Sequence, residues 1–372
     1  MKNLFRILYY IFIVPPLLII LLGLLWLNVD PEFGGAHSSK DVERYETSNQ
    51  FEEGIFVNAV PTSMDLQSKD ILPLLKEFLM GASKGPEFEL PVEKVDSTQI
   101  AKNLTKTKVL WFGHSAVLLQ IDGKNILLDP MLGESPAPHP AVGTQRYYKE
   151  LPIEIEKLPK IDLILISHDH YDHLDYGSIM KLKEKTSHFI LPLGVGAHFR
   201  AWDIPEHQIT ELDWWEEKDY LDLKIAFTPS RHFSGRGLHD RSKTLWGSYV
   251  IQGKKENIYF SGDGGYADHF KAIGEKYGPF DFAMLECGQY DEKWAQIHMM
   301  PEETAQAGVD LKAKRIMPIH WGAFTLALHH WTDPIVRVQA KAQELQIPLV
   351  HPKIGSYFSI SDTSFVGEQW WE

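Results

Sequence analysis

The sequence predicts an α/β sandwich, and two observations predict it. An early hairpin pattern, with two strand-like runs meeting at Asp122-Gly123 in VLWFGHSAVLLQIDGKNILLDP, gives way to strands alternating with helices. The apolar runs end in polar or glycine-bearing loops, which such a fold can gather at one end of its sheets. The chain has 372 residues, 44% hydrophobic and 23% charged, enough for one large domain with an added arm.

Residues 1–28 read as a membrane anchor. From Ile7 to Leu27 there is no charge, a length that crosses a bilayer as a helix. Tyr9, Tyr10 and Trp26 lie near its ends, where aromatic rings suit the interface, and Pro15-Pro16 predicts a kink. A signal peptide cut near Ala36 is the rival reading, and a buried core helix the third. Lys2 and Arg6 precede the span while Asp30, Glu32, Asp41 and Glu43 follow it, so the positive-inside rule puts the large domain outside the cytoplasmic membrane. Residues 29–50 carry Gly, Ser and charge without a period and read as a linker.

Residues 51–372 form the main domain, beginning with an arm over 51–107 in which ILPLLKEFLM predicts a helix. After the hairpin come the buried strand IDLILIS, a helix near YGSIMKLKEKT and the strand HFILPL. Further strands are expected at LKIAFTPS, TLWGSYVIQ, NIYFSGD, FDFAMLE and RIMPIH, with helices at HFKAIGEKYG, PEETAQAGVDL and DPIVRVQAKAQEL.

A formal charge of -13 leaves no excess of cations to neutralise phosphates and argues against a nucleic-acid binder. The lone Cys287 forms no intrachain disulfide and reads as a small buried hydrophobe.

The strongest chemical signal is SHDHYDHLD, placing His168, His170, Asp172 and His173 directly after an apolar strand. Imidazoles and carboxylates together suit zinc, and also manganese or iron. His168 and His170 would hold one ion while Asp172 and His173 turn towards a second. His232, Asp263 and His320 each follow a strand-like run, so one rim of the fold can bring all seven together. Asp263, flanked by Gly262 and Gly264-Gly265, is the natural bridging carboxylate. A single His beside a strand is more often structural; the cluster reverses that weighting. Asp129 reads as an acceptor for a ligand imidazole's second N–H, and His114 as support or packing.

Two ions activating a water form the expected catalytic centre, since no G-x-S-x-G elbow, P-loop or dinucleotide fingerprint competes. Asp263 is expected to help hold or deprotonate that water. His298 is a candidate contact for a substrate oxygen or leaving group, with a solvated loop histidine as the alternative.

With SHDHYDH, GDGGY and IHWG in view, the chain resembles the metallo-β-lactamase superfamily. It looks more closely like the N-acylphosphatidylethanolamine-hydrolysing phospholipase D family and its bacterial relatives. The phrases FVNAVPT, ELDWWEE, FTPSRHFSGRGLHDR, TLWGSYVI, HMMPEETAQA and IHWGAF carry that likeness in order from about residue 55 to 325. The resemblance implies an αββα sandwich with two metals, usually zinc, at one edge. It implies His168, His170, His232 and Asp263 around one metal, and Asp172, His173, Asp263 and His320 around the other. The implied reaction is hydrolysis of N-acylphosphatidylethanolamine to N-acylethanolamine and phosphatidic acid. A phospholipid substrate and a possible dimer follow from the same likeness, while the bacterial cytoplasmic membrane with the domain on its outer side follows from the anchor and the charges flanking it. The family's GDTGY is GDGGY here, so the hydroxyl at position 264 is missing, and the hydrophobic anchor is no part of the family's soluble core. Two other functions stay open: the same centre serves lactones, amides or small phosphodiesters, and a metal could merely stabilise an envelope protein. Trp202, Trp214, Trp215, Trp294 and Trp331 are candidates for a lipid groove, but residues of this type are more often core.

Overall fold

The computed structural model describes residues 9–63, 69, 72–73, 76, 85–102, 105–141 and 143–372. The helix expected at 71–80 lies, apart from Leu72, Pro73 and Lys76, outside the described residues. A short ribbon of β1 (Phe51–Glu52) and β2 (Ile55–Phe56) precedes two large sheets. The first contains β3 (Lys108–Trp111), β4 (Val117–Ile121), β5 (Lys124–Leu128), β6 (Leu163–Leu165), β7 (Phe189–Pro192) and β8 (Ile209–Leu212). The second contains β9 (Glu217–Tyr220), β10 (Leu223–Thr228), β11 (Ser248–Gln252), β12 (Asn257–Phe260), β13 (Phe282–Glu286) and β14 (Ile316–Ile319). The last strand, β15 (Tyr357–Ser359), returns to the first sheet. The orders are β15-β3-β4-β5-β6-β7-β8 and β14-β13-β12-β11-β10-β9.

Residue alternation explains the layering. In the first sheet Val109, Trp111, Val117, Leu119, Ile126, Leu128 and Leu165 point into the core between the sheets. Their neighbours Leu110, Leu118, Leu127 and Ile164 point to a second core with Ile179, Leu182 and Phe199 of the covering helices. A strand buried on both faces has to be apolar at successive positions, which is why these runs show no polar alternation. The helices His269–Lys276, Pro301–Asp310 and Asp333–Glu344 contribute Phe270, Ile273, Ala305, Ile335 and Val338 to the core around the second sheet. The expected αββα layers are therefore present. β9 closes the second sheet as a charged edge, Glu-Lys-Asp-Tyr, which discourages pairing with another chain.

The hairpin turns where expected: Asp122 and Gly123 have φ of 48° and 73°, and Ile121 pairs with Lys124. TLWGSYVIQ becomes a strand only from Ser248, because Gly247 donates to the Ser167 carbonyl at 3.0 Å and Leu245 to Leu193 at 2.8 Å. The sequence patterns missed β8, β9, β15 and the short helix Gly196–Ala201.

Among the described residues one helix, Tyr9–Leu27, is long and apolar enough to cross a membrane, and none of it is buried in the fold. Residues after it, expected as a linker, hold the helix Ser39–Tyr45, started by reciprocal bonds between Ser38 and Asp41. This segment is pinned to the domain. Trp202 donates to the Pro31 carbonyl at 2.8 Å, Arg236 to the Glu32 carbonyl at 2.8 Å, and Arg44 pairs with Glu211 at 3.0 Å. Of the five tryptophans, Trp202, Trp214 and Trp331 are core, Trp294 is half-buried and Trp215 is exposed.

Strand direction is what builds the site. β3, β5 and β6 run the same way, since β4 is antiparallel to both β3 and β5 and β6 is parallel to β5. β10, β12, β13 and β14 likewise share a direction. The loops leaving their C-terminal ends carry the polar residues that follow.

Candidate metal centre

The loop after β6 carries His168, His170, Asp172 and His173, and the loops after β10, β12 and β14 carry His232, Asp263 and His320. The fold brings all seven into one buried cluster. His170 Nδ1 lies 2.8 Å from His168 Nε2 and 3.2 Å from His232 Nε2, so three imidazole nitrogens converge. A second group comprises Asp172, His173 and His320, joined by His114. Asp263 lies between the groups: Oδ2 is 4.0 Å from His168 Nε2, 3.9 Å from His232 Nε2 and 3.1 Å from His173 Nε2, while Oδ1 is 3.1 Å from His320 Nδ1.

The chemistry of these donors fits divalent cations. Burial holds His168, His232 and His320 well below the usual imidazole range and His170 at about 4, so their nitrogen lone pairs stay available. Burial opposes charge on His173, but the carboxylates of Asp263 and Asp172 outweigh it and raise its pKa. Burial pushes the Asp263 carboxyl up to about 7. Asp263 Oδ1 and His173 Nε2 are close to neighbours but lack aligned hydrogen bonds, leaving two buried polar atoms without partners. Neutral imidazoles, ionisable carboxylates and unpartnered buried atoms make a nitrogen–oxygen donor set of the kind zinc takes.

Around this cluster the loops are tightly held. Asp129, at the end of β5, accepts from His173 Nδ1 at 2.7 Å, as its position suggested, and also from Ser167 N and Oγ at 2.7 and 2.6 Å. His114 bonds Asp172 Oδ2 at 2.9 Å, and its ring packs 4.2 Å from that of His320. His114 and His320 are joined by backbone too: His320 N donates to the His114 carbonyl, and His114 N to Trp321, both at 3.0 Å. His114, Asp129 and His320 have φ of 53°, 40° and 67°, a conformation non-glycine residues seldom adopt and one that concentrates at functional sites. His232 Nδ1 contacts the Ile297 carbonyl at 2.9 Å, which fixes that ring.

His298 approaches from the loop before the helix Pro301–Asp310. Its Nδ1 meets Glu286 Oε1, and its ring stacks on His320 at 5.4 Å. Glu286 is fully buried, and burial raises its carboxyl well above the usual range. Glu286 Oε2 accepts from Gly264 N at 2.9 Å, linking His298 to the Asp263 loop. Sequence reasoning missed Glu286, although it ends β13 just as the other site residues follow their strands. It also missed Ser230, whose hydroxyl bonds the Asp263 carbonyl.

Ser230 accounts for Gly264. A Cβ at position 264 would sit 2.1 Å from Ser230 Oγ, so the hydroxyl comes from across the loop and the glycine leaves room for it. Gly264→Ala is expected to destabilise the protein by about 1–3 kcal/mol through overpacking, and Ser230→Ala in the same chain to recover part of that loss. Thermal melts of the two single variants and the double variant measure the coupling; additive losses would refute it. Cys287 is buried, as expected, with Sγ near the Pro334 carbonyl.

A family model described as a β-lactamase superfamily domain matches residues 124–321. A protein of Mycobacterium tuberculosis without an assigned function is 38% identical over 314 residues, 83% of this chain and 84% of its own length. N-acyl-phosphatidylethanolamine-hydrolyzing phospholipase D 1 of Caenorhabditis elegans is 30% identical over 307 residues, 76% of this chain and 83% of that one. Among solved structures, an isothiocyanate hydrolase from Delia radicum gut bacteria superposes with a TM-score of 0.54 at 20% identity, over 68% of this chain and 99% of that one. That likeness speaks to the fold alone.

Proposed function

The chain belongs to the metallo-β-lactamase superfamily of metal-dependent hydrolases, and from that premise we propose that it is a phospholipase D-type phosphodiesterase. Its substrate in this reading is N-acylphosphatidylethanolamine, cleaved to N-acylethanolamine and phosphatidic acid. The observation that carries the reading is the match along 307 residues to the nematode phospholipase D.

His168, His170 and His232 would hold one divalent ion, Asp172, His173 and His320 the other, and Asp263 both; zinc is the ion the donor set favours. Divalent ions bound there supply Lewis acidity towards water and a phosphoryl oxygen. The chain's own contribution is orientation and proton placement. Asp129 and the Ile297 carbonyl fix the His173 and His232 rings. With Glu286 Oε2 engaged by Gly264 N, one proton is shared between Oε1 and His298 Nδ1. His298 Nε2 is then left to face a leaving-group oxygen. The apolar helix Tyr9–Leu27 would hold the domain at the outer face of a bacterial cytoplasmic membrane, where its substrate lies.

The deciding experiment is incubation of zinc-loaded full chain with N-acylphosphatidylethanolamine in detergent, resolving products by mass. N-acylethanolamine and phosphatidic acid should appear, vanish on chelation and return with zinc. Turnover of lactones, amides or small phosphodiesters with none of this lipid would reject the substrate and keep the hydrolase. His298→Gln is expected to lower kcat roughly 10²–10³-fold and Glu286→Gln about 10-fold or more, both with metal content unchanged by elemental analysis. Loss of metal in either variant would make that residue a ligand instead.

A further inference from the structure

Beside the candidate metal cluster lies a cavity of about 270 Å³, whose wall includes His232. Asn58, Thr62, Ser242 and Trp246 line it, and among the described residues no Asp or Glu does. Arg241 also lines it, with its guanidinium 3.9 Å from the centre of the Phe233 ring. The Phe233 ring in turn packs at 4.6 Å on His170 and 4.9 Å on His232. Arg241 thereby sits over a ring that packs edge-on against His170 and tilted against His232, both candidate metal ligands.

Its charge is uncompensated. Arg231, nearby, donates to Thr62 at 3.0 Å and to the Pro61 carbonyl and Gln296 at 2.8 Å, and Lys243 donates to the Gly54 carbonyl at 2.7 Å. Among the described residues none of these three cations has a carboxylate within 4.0 Å, and Arg241 has no hydrogen-bond partner either. Of the three, Arg231 still feels the more distant Glu303, whereas no charged neighbour among the described residues acts on Arg241. Burial pulls the Arg241 guanidinium below its usual value, as expected for a partly desolvated cation without a counter-charge. A guanidinium set over an aromatic ring, at a polar cavity with no acid among its described lining residues, is suited to recognise a carboxylate or phosphate.

We propose that this cavity is an anion subsite, in which Arg241 takes a carboxylate or phosphate that the substrate carries in addition to its scissile diester. The inference rests on the phosphodiesterase reading and narrows it: the preferred lipid carries a second negative charge in its headgroup.

N-acylphosphatidylserine and N-acylphosphatidylethanolamine make a matched test, because they differ by one headgroup carboxylate. With zinc-loaded full chain in neutral micelles, kcat/KM is expected to favour the serine lipid roughly tenfold, through KM, as one charge-assisted contact would give. Arg241→Gln should abolish that preference and Arg241→Lys keep part of it. Equal kcat/KM for the two lipids, or a preference indifferent to Arg241, overturns the subsite. A dependence on Arg241 that is equal for both lipids and appears only when phosphatidylglycerol is added also overturns it, in favour of a contact with the membrane surface. Should neither lipid turn over, the phosphodiesterase reading fails on its own. Calorimetry with O-phosphoserine and O-phosphoethanolamine then decides the subsite, which requires tighter binding of O-phosphoserine that is lost in Arg241→Gln.

Discussion

Asp263→Asn is expected to leave a folded protein whose turnover falls by roughly four orders of magnitude, the scale seen when an indispensable member of a catalytic unit is removed. The substitution keeps the volume, removes the negative charge and turns one acceptor oxygen into an NH₂ donor. That charge sits 3% exposed between the two halves of the cluster, within 4.0 Å of ring nitrogens on His168, His173, His232 and His320. Burial works against it, leaving the carboxyl raised to about 7 despite the opposing pull of His173. A bound divalent ion reverses this balance, so charge and ion stabilise each other. Elemental analysis should therefore find less metal in the variant, about one ion per chain in place of about two. Full activity with full metal would remove Asp263 from the centre.

Asp129→Ala is expected to act on the fold as well as on the metal. Asp129 is fully buried and receives three hydrogen bonds of 2.6–2.7 Å, from Ser167 N, Ser167 Oγ and His173 Nδ1. Truncation strands all three donors, a loss of about 3–5 kcal/mol by comparison with other broken buried charged contacts. Alanine must also adopt a φ near 40°, where a short polar side chain is better tolerated. Melting should fall by roughly 5 °C. Metal affinity should fall about 10–100-fold, because the His173 ring loses the partner that orients it. Asp129→Asn separates the effects: its Oδ1 still accepts from Ser167 N, while its NH₂ is the wrong partner for an Nδ1–H. Stability should partly return and metal affinity should not. Competition with a chromophoric chelator reads the second quantity, and equal recovery of both would contradict the ring-orienting role.

The seven residues of the cluster could be read from the sequence because each follows an apolar strand, and that position survives folding. The layers were legible for the same reason: long runs such as IDLILIS are apolar on both faces and need cover on both. What stayed hidden depends on contacts across sequence. Glu286 looks like the last residue of a strand until Gly264 and His298 arrive, 22 and 12 residues away in the chain. Ser230 and Gly264 make sense only as a pair separated by 34 positions. β9 reads as a charged loop because an edge strand needs no apolar alternation. The segment at 31–45 has linker composition, yet its carbonyls are held by Trp202 and Arg236, which composition does not foretell.

The clasp between His114 and His320 has a consequence for how this molecule tolerates change. His114, Asp129, His168, His170, Asp172 and His173 hang from the first sheet, whereas His232, Asp263, Glu286 and His320 hang from the second. Sliding one sheet past the other by a single residue would move the rim by about 3.3 Å and pull the two sets of donors apart. The cluster is thus a rivet through the sandwich, fixing the relative position of two layers whose interior contacts are otherwise non-directional. Apolar residues between the layers are free to exchange for others of like volume while the rivet holds alignment.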